Sequence, residues 1–356
     1  MRSTLKTTAH PAVIHIIVVF ILAACQLAPT PVPSASPPPT FTVIPTVAPT
    51  LPPTPTILPR SATLSELQQK VEAHSDSAAQ WEEASEGQFV FVGGGVKTWD
   101  EARARLDISD GTILRMAAKS EFTLTDLTPA LSNAVTRFKL VSGKLWVALT
   151  GTAGEGTLEI ETQVGVATVR GSYMSVEFAE DTGQAIVTCL EGECRLTGTT
   201  GQATDLSRDQ QAEIAGAGQG PSPAQPMEAA QYAEWARNFP EAPAPPLTPL
   251  PLSPGDTQCM PNSFPAGVVE LWYGVGRWMT AEEATAAIGD SNPTITLDGE
   301  PVTIHDRIGP ERHSEDDPAW GFGVRAYVLL KPGEYTITSQ WYWPGVNTCS
   351  ITVVSQ

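Results

Sequence analysis

Basic residues are scarce in this chain. Of its 356 residues, 21 are lysine or arginine and 39 are aspartate or glutamate, which gives a formal net charge of −18. Nucleic acids and anionic membrane surfaces are themselves negatively charged, so this balance argues against both as binding partners. The sequence therefore excludes the function classes that depend on a basic surface.

The motifs of the common reaction chemistries are also missing. The sequence contains no nucleophile elbow, no phosphate-binding loop, no Rossmann glycine pattern and no His-Glu pair at the helical spacing of a metalloprotease. Histidines and acids do gather in the stretch His305–Asp317, but their spacing matches no zinc or calcium site, and Arg307 and Arg312 oppose a cation. We therefore expect a solvated loop there, and a protein that is not an enzyme and has no cofactor and no metal.

No apolar run is long enough to cross a bilayer as a helix, which takes roughly 20 residues. The stretch Ala12–Ala24 instead has the length of a signal-peptide core, and Arg2 and Lys6 form the basic region before it. It ends in Leu22-Ala-Ala-Cys25, which resembles the bacterial lipobox. The resemblance implies a signal peptide over 1–24, lipid attachment to Cys25, and a membrane lipoprotein at the extracytoplasmic face. An ordinary cleaved signal or an uncleaved anchor is the alternative.

The segment after Cys25 has no charge before Arg60 and consists mainly of proline, threonine, alanine, valine and serine. Such a composition does not build a core and favours extended chain, partly polyproline II. We predict that residues 25–60 are a disordered tether that lifts the folded part off the membrane.

Cysteine is rare, with five in the whole chain. In an exported chain, the four that follow Cys25 predict two disulfides, for which three connectivities exist. If Glu191-Gly192 is a two-residue turn, Cys189 and Cys194 form a non-hydrogen-bonded cross-strand pair, which is close enough for a bridge. Cys259–Cys349 then closes a loop of roughly 90 residues. Four free thiols in a reducing compartment are the alternative.

Short alternating segments dominate residues 61–215. Around Gly171 the apolar residues fall at every second position, the period of a strand with one buried face: Val164, Val166, Met174, Val176 and Phe178. Gly171 suggests a bulge, and Arg170 beside it is expected to form a salt bridge or to meet an anionic group. Hairpins are predicted with turns at Asp110-Gly111 and Ser142-Gly143, whereas Leu64–Val71 has helical spacing. Strands separated by turn signals predict a β sandwich or roll.

An ordered series of fragments resembles the FecR domain. The fragments are Ala102-Arg-Ala-Arg-Leu-Asp-Ile-Ser-Asp-Gly111, Leu140-Val-Ser-Gly-Lys-Leu-Trp-Val147, Val166-Ala-Thr-Val-Arg-Gly-Ser172 and Glu191-Gly192. The family usually has Gly-Thr where this chain has Gly171-Ser172, a departure that keeps the hydroxyl. The resemblance covers Val71–Ala215 and implies an extracytoplasmic β domain without catalytic residues.

Named members of that family relay a periplasmic signal to a cytoplasmic sigma factor. That role needs a cytoplasmic domain before a membrane helix, and here only about a dozen residues precede the apolar core. We therefore expect a binding or structural scaffold of the envelope. The alternative is an extracytoplasmic sensor that works through a membrane partner.

Residues 216–257 are predicted to be a helix followed by a proline-rich linker. Met227–Arg237 is amphipathic, with Tyr232, Trp235 and Ala236 able to pack on the β domain, and Pro243–Pro254 indicates a domain boundary. Residues 258–356 are predicted to be an immunoglobulin-like β sandwich that holds one helix, which begins at the capping box Thr280–Glu283. The predicted fold class is therefore all-β.

The last domain is rich in tryptophan. Trp272, Trp320, Trp341 and Trp343, together with Trp278, either fill its core or form an exposed platform that binds an envelope protein or a glycan. Trp341 and Trp343 are predicted to share one strand face. These side chains are the candidate ligand-binding residues of the sequence.

Overall fold

The computed structural model describes residues 60–128, 135–149, 156–252, 259–288, 292–312, 319–341 and 346–355. The predicted signal peptide, Cys25, the tether up to residue 59 and Trp343 lie outside the described residues. Almost all regular structure in the described part is β, which confirms the all-β prediction.

Fifteen strands form one sheet, which we call the N-terminal β unit. They are β1 (Ala62–Gln68), β2 (Val71–His74), β3 (Glu82–Glu83), β4 (Phe89–Val90), β5 (Gly95–Thr98), β6 (Arg103–Ile108), β7 (Ile113–Met116), β8 (Glu121–Leu127), β9 (Val135–Ala148), β10 (Thr157–Glu161), β11 (Gly165–Ala179), β12 (Gln184–Gly198), β13 (Ala203–Leu206), β14 (Gln210–Ile214) and β15 (Gln225–Pro226). The main path of the sheet runs β15-β14-β12-β11-β10-β9-β7-β6-β1-β4.

Three long strands roll this sheet around its core. In β9, residues 135–139 pair with β10, whereas residues 143–148 pair with β11. The first half of β11 pairs with β10 and the second half with β9, and β12 likewise pairs with β14 at one end and β13 at the other. Gly143, Gly171 and Gly192 have positive φ angles of 88°, 64° and 86°, which a side chain would disfavour. Each long strand therefore bends at a glycine, and its two halves enclose one apolar core.

Three local predictions for this unit are wrong, and the first two concern a helix and a turn. Leu64–Val71 is not helical: it contributes to β1 and β2, with Leu64 and Val71 buried, because pairing with β6 and β5 outweighs a weak helical pattern. Ser142-Gly143 is not a hairpin turn but lies inside β9, since both halves of that strand find separate partners.

Glu191-Gly192 is likewise inside a strand rather than at a hairpin turn. The register between β11 and β12 shifts on both sides of Tyr173, so that β12 bends sharply there. As a result, the Cα atoms of Cys189 and Cys194 lie 5.9 Å apart, whereas a straight strand would separate them by roughly 16 Å. The predicted pair is at bonding distance because of this bend, not because of a hairpin.

Helix α1 (Ala229–Asn238) follows the sheet and covers its outer face. Tyr232, Ala233 and Trp235 are buried, while Ala236 is half-buried. The indole Nε1 of Trp235 donates a hydrogen bond of 3.1 Å to Oγ1 of Thr188 in β12. The helix therefore packs on the β unit through the aromatic side chains that its spacing indicates.

The remaining strands form the C-terminal β unit, a sandwich of two sheets. They are β16 (Leu247–Leu252), β17 (Ser263–Pro265), β18 (Gly267–Trp278), β19 (Thr294–Leu297), β20 (Glu300–Pro301), β21 (Asp306–Arg312), β22 (Trp320–Leu330), β23 (Gly333–Gln340) and β24 (Asn347–Val354). One sheet has the order β16-β18-β22-β21 and the other β17-β24-β23-β19-β20. Their facing side chains share one core, which agrees with the predicted sandwich.

The structure differs from the predicted linker at residues 247–252, which form the edge strand β16, parallel to β18. Leu250 and Leu252 point into the core, while Pro249 and Pro251 face outward. Proline lacks the backbone N–H that a second neighbour would need, so an edge position suits it. The proline content indicated a linker, but the alternating leucines decide the strand.

Helix α2 (Ala281–Ile288) begins as predicted at Thr280, whose Oγ1 accepts a hydrogen bond of 3.1 Å from the backbone N–H of Glu283.

Cys259 and Cys349 have Cα atoms 5.4 Å apart, at bonding distance. The prediction of a solvated loop at 305–317 is wrong for the first part of that stretch, because Asp306–Arg312 is strand β21, which pairs with β22. Residues 313–318 lie outside the described residues.

Candidate binding surfaces

The predicted tryptophans of the C-terminal β unit do not form one platform. Trp341 is buried, with its ring centroid 6.0 Å from that of Tyr273, so it belongs to the core. Trp320 and Trp278 are half-buried and pack against the same core. Only Trp272 of the described candidates stands well exposed, at 41% of its surface.

Trp272 lies across two glycines of neighbouring strands. A Cβ built on Gly274 would come within 2.6–3.1 Å of three atoms of the indole ring, and one on Gly323 within 3.2–3.5 Å of three ring atoms, of which Cζ2 is common to both sets. Similar distances to several ring atoms mean that the ring presents its face to the sheet. The opposite face is therefore turned to solvent, which makes a flat aromatic surface on a rigid support.

Charged side chains border this ring. In the sheet register, Trp272 lies between Pro251 of β16 and Arg325 of β22, and Arg325 lies opposite Asp306 of β21. The guanidinium of Arg325 pairs with Glu270, with 3.2 Å between Nε and Oε1. The ring of Trp272 is thus bordered by charged side chains rather than by an apolar patch.

Glu270 also connects this sheet to helix α1. Arg237 of α1 forms an ion pair with Glu270 and donates a 2.7 Å hydrogen bond to the hydroxyl of Tyr327. Burial raises the pKa of Tyr327 above its usual value, although Arg237 opposes the shift. The same helix therefore packs on both β units, and part of the outer face of β18 and β22 is already covered.

The N-terminal β unit exposes aromatic side chains that the sequence did not single out. Phe89 and Phe91 are 50% and 54% exposed and stack with ring centroids 6.2 Å apart. They flank the buried Val90, and β4 is an edge strand. Phe89–Val92 is apolar at every position, so its sequence does not show which face is buried, and aromatic residues would ordinarily be assigned to the core.

Trp99 forms a further exposed position, bordered by charges. Its Nε1 donates a 3.1 Å hydrogen bond to Oε2 of Glu72, and the ammonium groups of Lys70 and Lys97 lie 4.3 and 5.2 Å from its ring centroid. A hydrogen bond to Glu121 raises the pKa of Lys97, and Lys70 lowers that of Glu72 in the same way. The ring is held by cation–π contacts of a kind worth about 0.5–1 kcal/mol at exposed sites.

The other sequence candidates give no reactive arrangement in the described part of the chain. His305 packs against Tyr327, with ring centroids 5.2 Å apart. No group of three or more histidine, cysteine, aspartate or glutamate side chains comes together there as a metal site. Arg170 is exposed and borders a polar cavity of about 630 Å³ beside Glu193 and Arg195, without an ion pair among the described residues.

Residues 95–195 match the family model described as FecR protein. The chain carries a FecR domain. The match falls within the N-terminal β unit and includes the bends at Gly143, Gly171 and Gly192. A comparison with curated proteins finds no match.

Among solved structures, a proposed anti-sigma factor from Parabacteroides distasonis ATCC 8503 aligns with 10% identity and a TM-score of 0.34, covering 40% of this chain and 64% of that chain. The cysteine protease inhibitor EhICP2 from Entamoeba histolytica aligns with 10% identity and a TM-score of 0.20, covering 31% and 99%. The glucan-locus protein SGBP-B from Bacteroides ovatus, solved with a mixed-linkage heptasaccharide, aligns with 8% identity and a TM-score of 0.15, covering 83% and 60%. This chain thus spans less than two thirds of the length of the anti-sigma factor.

In the described residues, no helix has both the length and the apolar character needed to span a membrane.

Proposed function

We propose that this chain is a non-enzymatic envelope protein, anchored by lipid on Cys25 at the extracytoplasmic face, whose folded part is a binding scaffold. The observation that carries the proposal is the exposed, rigidly supported indole of Trp272. Its neighbours Trp341, Trp320 and Trp278 supply core packing, so Trp272 is not needed to complete the sandwich. A tryptophan side chain combines a large apolar face with a polar N–H, which is why tryptophan is enriched at interfaces.

The junction between the two β units supports a scaffold role. Helix α1 packs on β12 through Trp235 and on the sandwich through Arg237, and the apolar cluster around it includes Val268 and Tyr327. Glu241 just after the helix pairs with Arg105 and Arg115 of the FecR domain. A ligand on the sandwich is therefore held at a fixed place on the FecR domain.

The anchor is tested by labelling cells with a radioactive or alkyne-bearing palmitate. The wild-type chain should incorporate the label and remain with membranes, and Cys25→Ala should lose both. A Cys259→Ala/Cys349→Ala variant serves as the matched control and should still be labelled. Unchanged labelling and membrane retention of Cys25→Ala would contradict the anchor.

Binding is tested with the full-length protein, solubilised in detergent and incubated with isolated envelope fractions. We expect the wild type to bind and Trp272→Ala to lose at least tenfold in retained protein. Val354→Ser, which changes an exposed apolar residue elsewhere on the sandwich, is the control and should bind normally. Equal retention of wild type and Trp272→Ala would sink the proposal.

Envelope signalling through a membrane partner is the second candidate, and the FecR family match favours it. It predicts that deleting the gene changes transcription of a defined set of genes when envelope components are added. Trp272→Ala should then reproduce the deletion. A transcriptome that is unaltered by the deletion would argue against signalling and leave the scaffold role.

A further inference from the structure

The ring of Trp272 lies flat over two glycines, which exposure of the side chain alone would not require. Both Gly274 of β18 and Gly323 of β22 leave the space that the ring occupies, and a side chain at either position would press against it. These glycines face each other in the register, so they form one flat patch across two strands. Glycine weakens a strand, so its use twice at one spot indicates that the ring must lie flat.

The edges of the ring offer polar groups. Trp272 carries an indole N–H donor at the edge of its exposed ring. Arg325 lies beside the ring with 40% of its side chain exposed, and the exposed Asp306 follows in the same row. The site therefore combines one apolar face with donors and an acceptor on the neighbouring strands.

A sugar ring has the complementary chemistry. One face of a hexopyranose presents C–H groups that stack on an aromatic face, while its equatorial hydroxyls both donate and accept hydrogen bonds at the rim. A protein partner would instead be expected to cover a cluster of apolar side chains around the anchor, and here Gly274, Gly323, Arg325 and Pro251 surround it. The net charge of −18 disfavours an anionic polymer over a neutral one.

We propose that Trp272, seated on Gly274 and Gly323, is the stacking platform of a site for neutral hexopyranose glycans. This inference rests on the proposed binding function and names the ligand class of that surface. Arg325 and Asp306 bind hydroxyls at the edge of the stacked ring. Trp99 on the FecR domain, whose ring is bordered by two lysines, does not take part.

The test is native electrophoresis of the full-length protein in gels that contain glucomannan, galactomannan, pullulan or dextran. The wild type should be retarded by at least one of these polysaccharides. Trp272→Ala should lose at least tenfold in apparent affinity, and Gly323→Val should do so as well, because its side chain lifts the ring while the tryptophan is retained. Trp99→Ala, which removes a tryptophan of similar exposure, is the control and should migrate like the wild type.

Equal urea midpoints for all variants ensure that lost binding does not report unfolding. No retardation of the wild type by any of the four polysaccharides, or equal retardation of Trp272→Ala, would overturn the inference. Normal binding by Gly323→Val would overturn the role of the glycine seat. If none of the four polysaccharides retards the wild type but envelope binding still depends on Trp272, the glycan assignment is wrong and the proposed binding function stands.

Discussion

Trp235 should be the single residue on which the junction between the FecR domain and the sandwich depends most. It is fully buried, and its ring centroid lies 5.6 Å from that of Phe239 and 6.3 Å from that of Tyr173. Replacing a buried tryptophan with alanine removes apolar contacts and leaves a cavity, at a cost of about 3–5 kcal/mol. We therefore expect Trp235→Ala to lower the free energy of unfolding by that amount.

A second substitution separates packing from the hydrogen bond. Trp235→Phe keeps most of the apolar contact but removes the indole N–H that Thr188 accepts. The Thr188 hydroxyl also lies 2.6 Å from that of Ser175, so it retains a partner. The expected loss is about 0.5–1.5 kcal/mol for the one hydrogen bond plus the cost of the smaller cavity, and it should stay below that of Trp235→Ala.

Urea unfolding of the full chain, followed by circular dichroism, measures both variants. Tryptophan fluorescence is unsuitable because the chain has nine tryptophans. Trp81→Ala is the control, since Trp81 is 41% exposed and should change stability by less than about 0.5 kcal/mol. A loss below about 1 kcal/mol for Trp235→Ala would refute the view that α1 is held by its buried aromatic face.

Three further predictions concern the two β units. Replacing Cys259 and Cys349 with serines should lower the free energy of unfolding by about 4–5 kcal/mol in the chain-entropy model, because the two cysteines are separated by 90 residues. A urea midpoint unchanged from the oxidised wild type would contradict this. In the same assay, Gly143→Ala should lower the free energy of unfolding by at least about 1 kcal/mol more than Gly183→Ala. Both glycines have a positive φ angle, but only at Gly143 would a Cβ meet neighbouring atoms. Equal losses would count against the tight bend in β9. Burial is the largest single effect and raises the pKa of Glu241, but the hydrogen bond from Arg115, a backbone hydrogen bond and the charges of Arg115 and Arg105 together leave the pKa below its usual value. This stabilisation is therefore present above about pH 4.5 and is lost as the pH falls through the folded-state pKa. Glu241→Gln should flatten the acid limb of the stability profile, and an unchanged limb would disprove the linkage.

Much of the fold could be predicted from local pattern. The alternation at Met174, Val176 and Phe178 reports a strand with one buried face, and all three side chains are buried. Helix α1 and the start of α2 follow from spacing and from the Thr280 cap, which are properties of neighbouring residues. Such signals survive because they do not depend on which distant strand becomes the partner.

The wrong predictions concern segments whose structure depends on pairing with a strand that is distant in sequence. Ser142-Gly143 and Glu191-Gly192 both look like hairpin turns, yet each is a bend within a long strand whose two halves pair with different neighbours. The proline-rich stretch 247–252 became an edge strand because β18 was available to pair with it. Turn propensity is local, whereas strand pairing is set by the whole sheet.

The sequence by itself determined the all-β class and the FecR resemblance, because periodicity and an ordered motif series are written along the chain. The cysteine number predicted two disulfides, but the bend that brings Cys189 to Cys194 is a property of the tertiary structure. It also narrowed the binding candidates to a few tryptophans. Only the tertiary structure decided that Trp341 fills the core while Trp272 lies exposed on Gly274 and Gly323. Trp272 in β18 and Trp341 just after β23 look alike in sequence, and which of them faces the core depends on how the two sheets pack against each other.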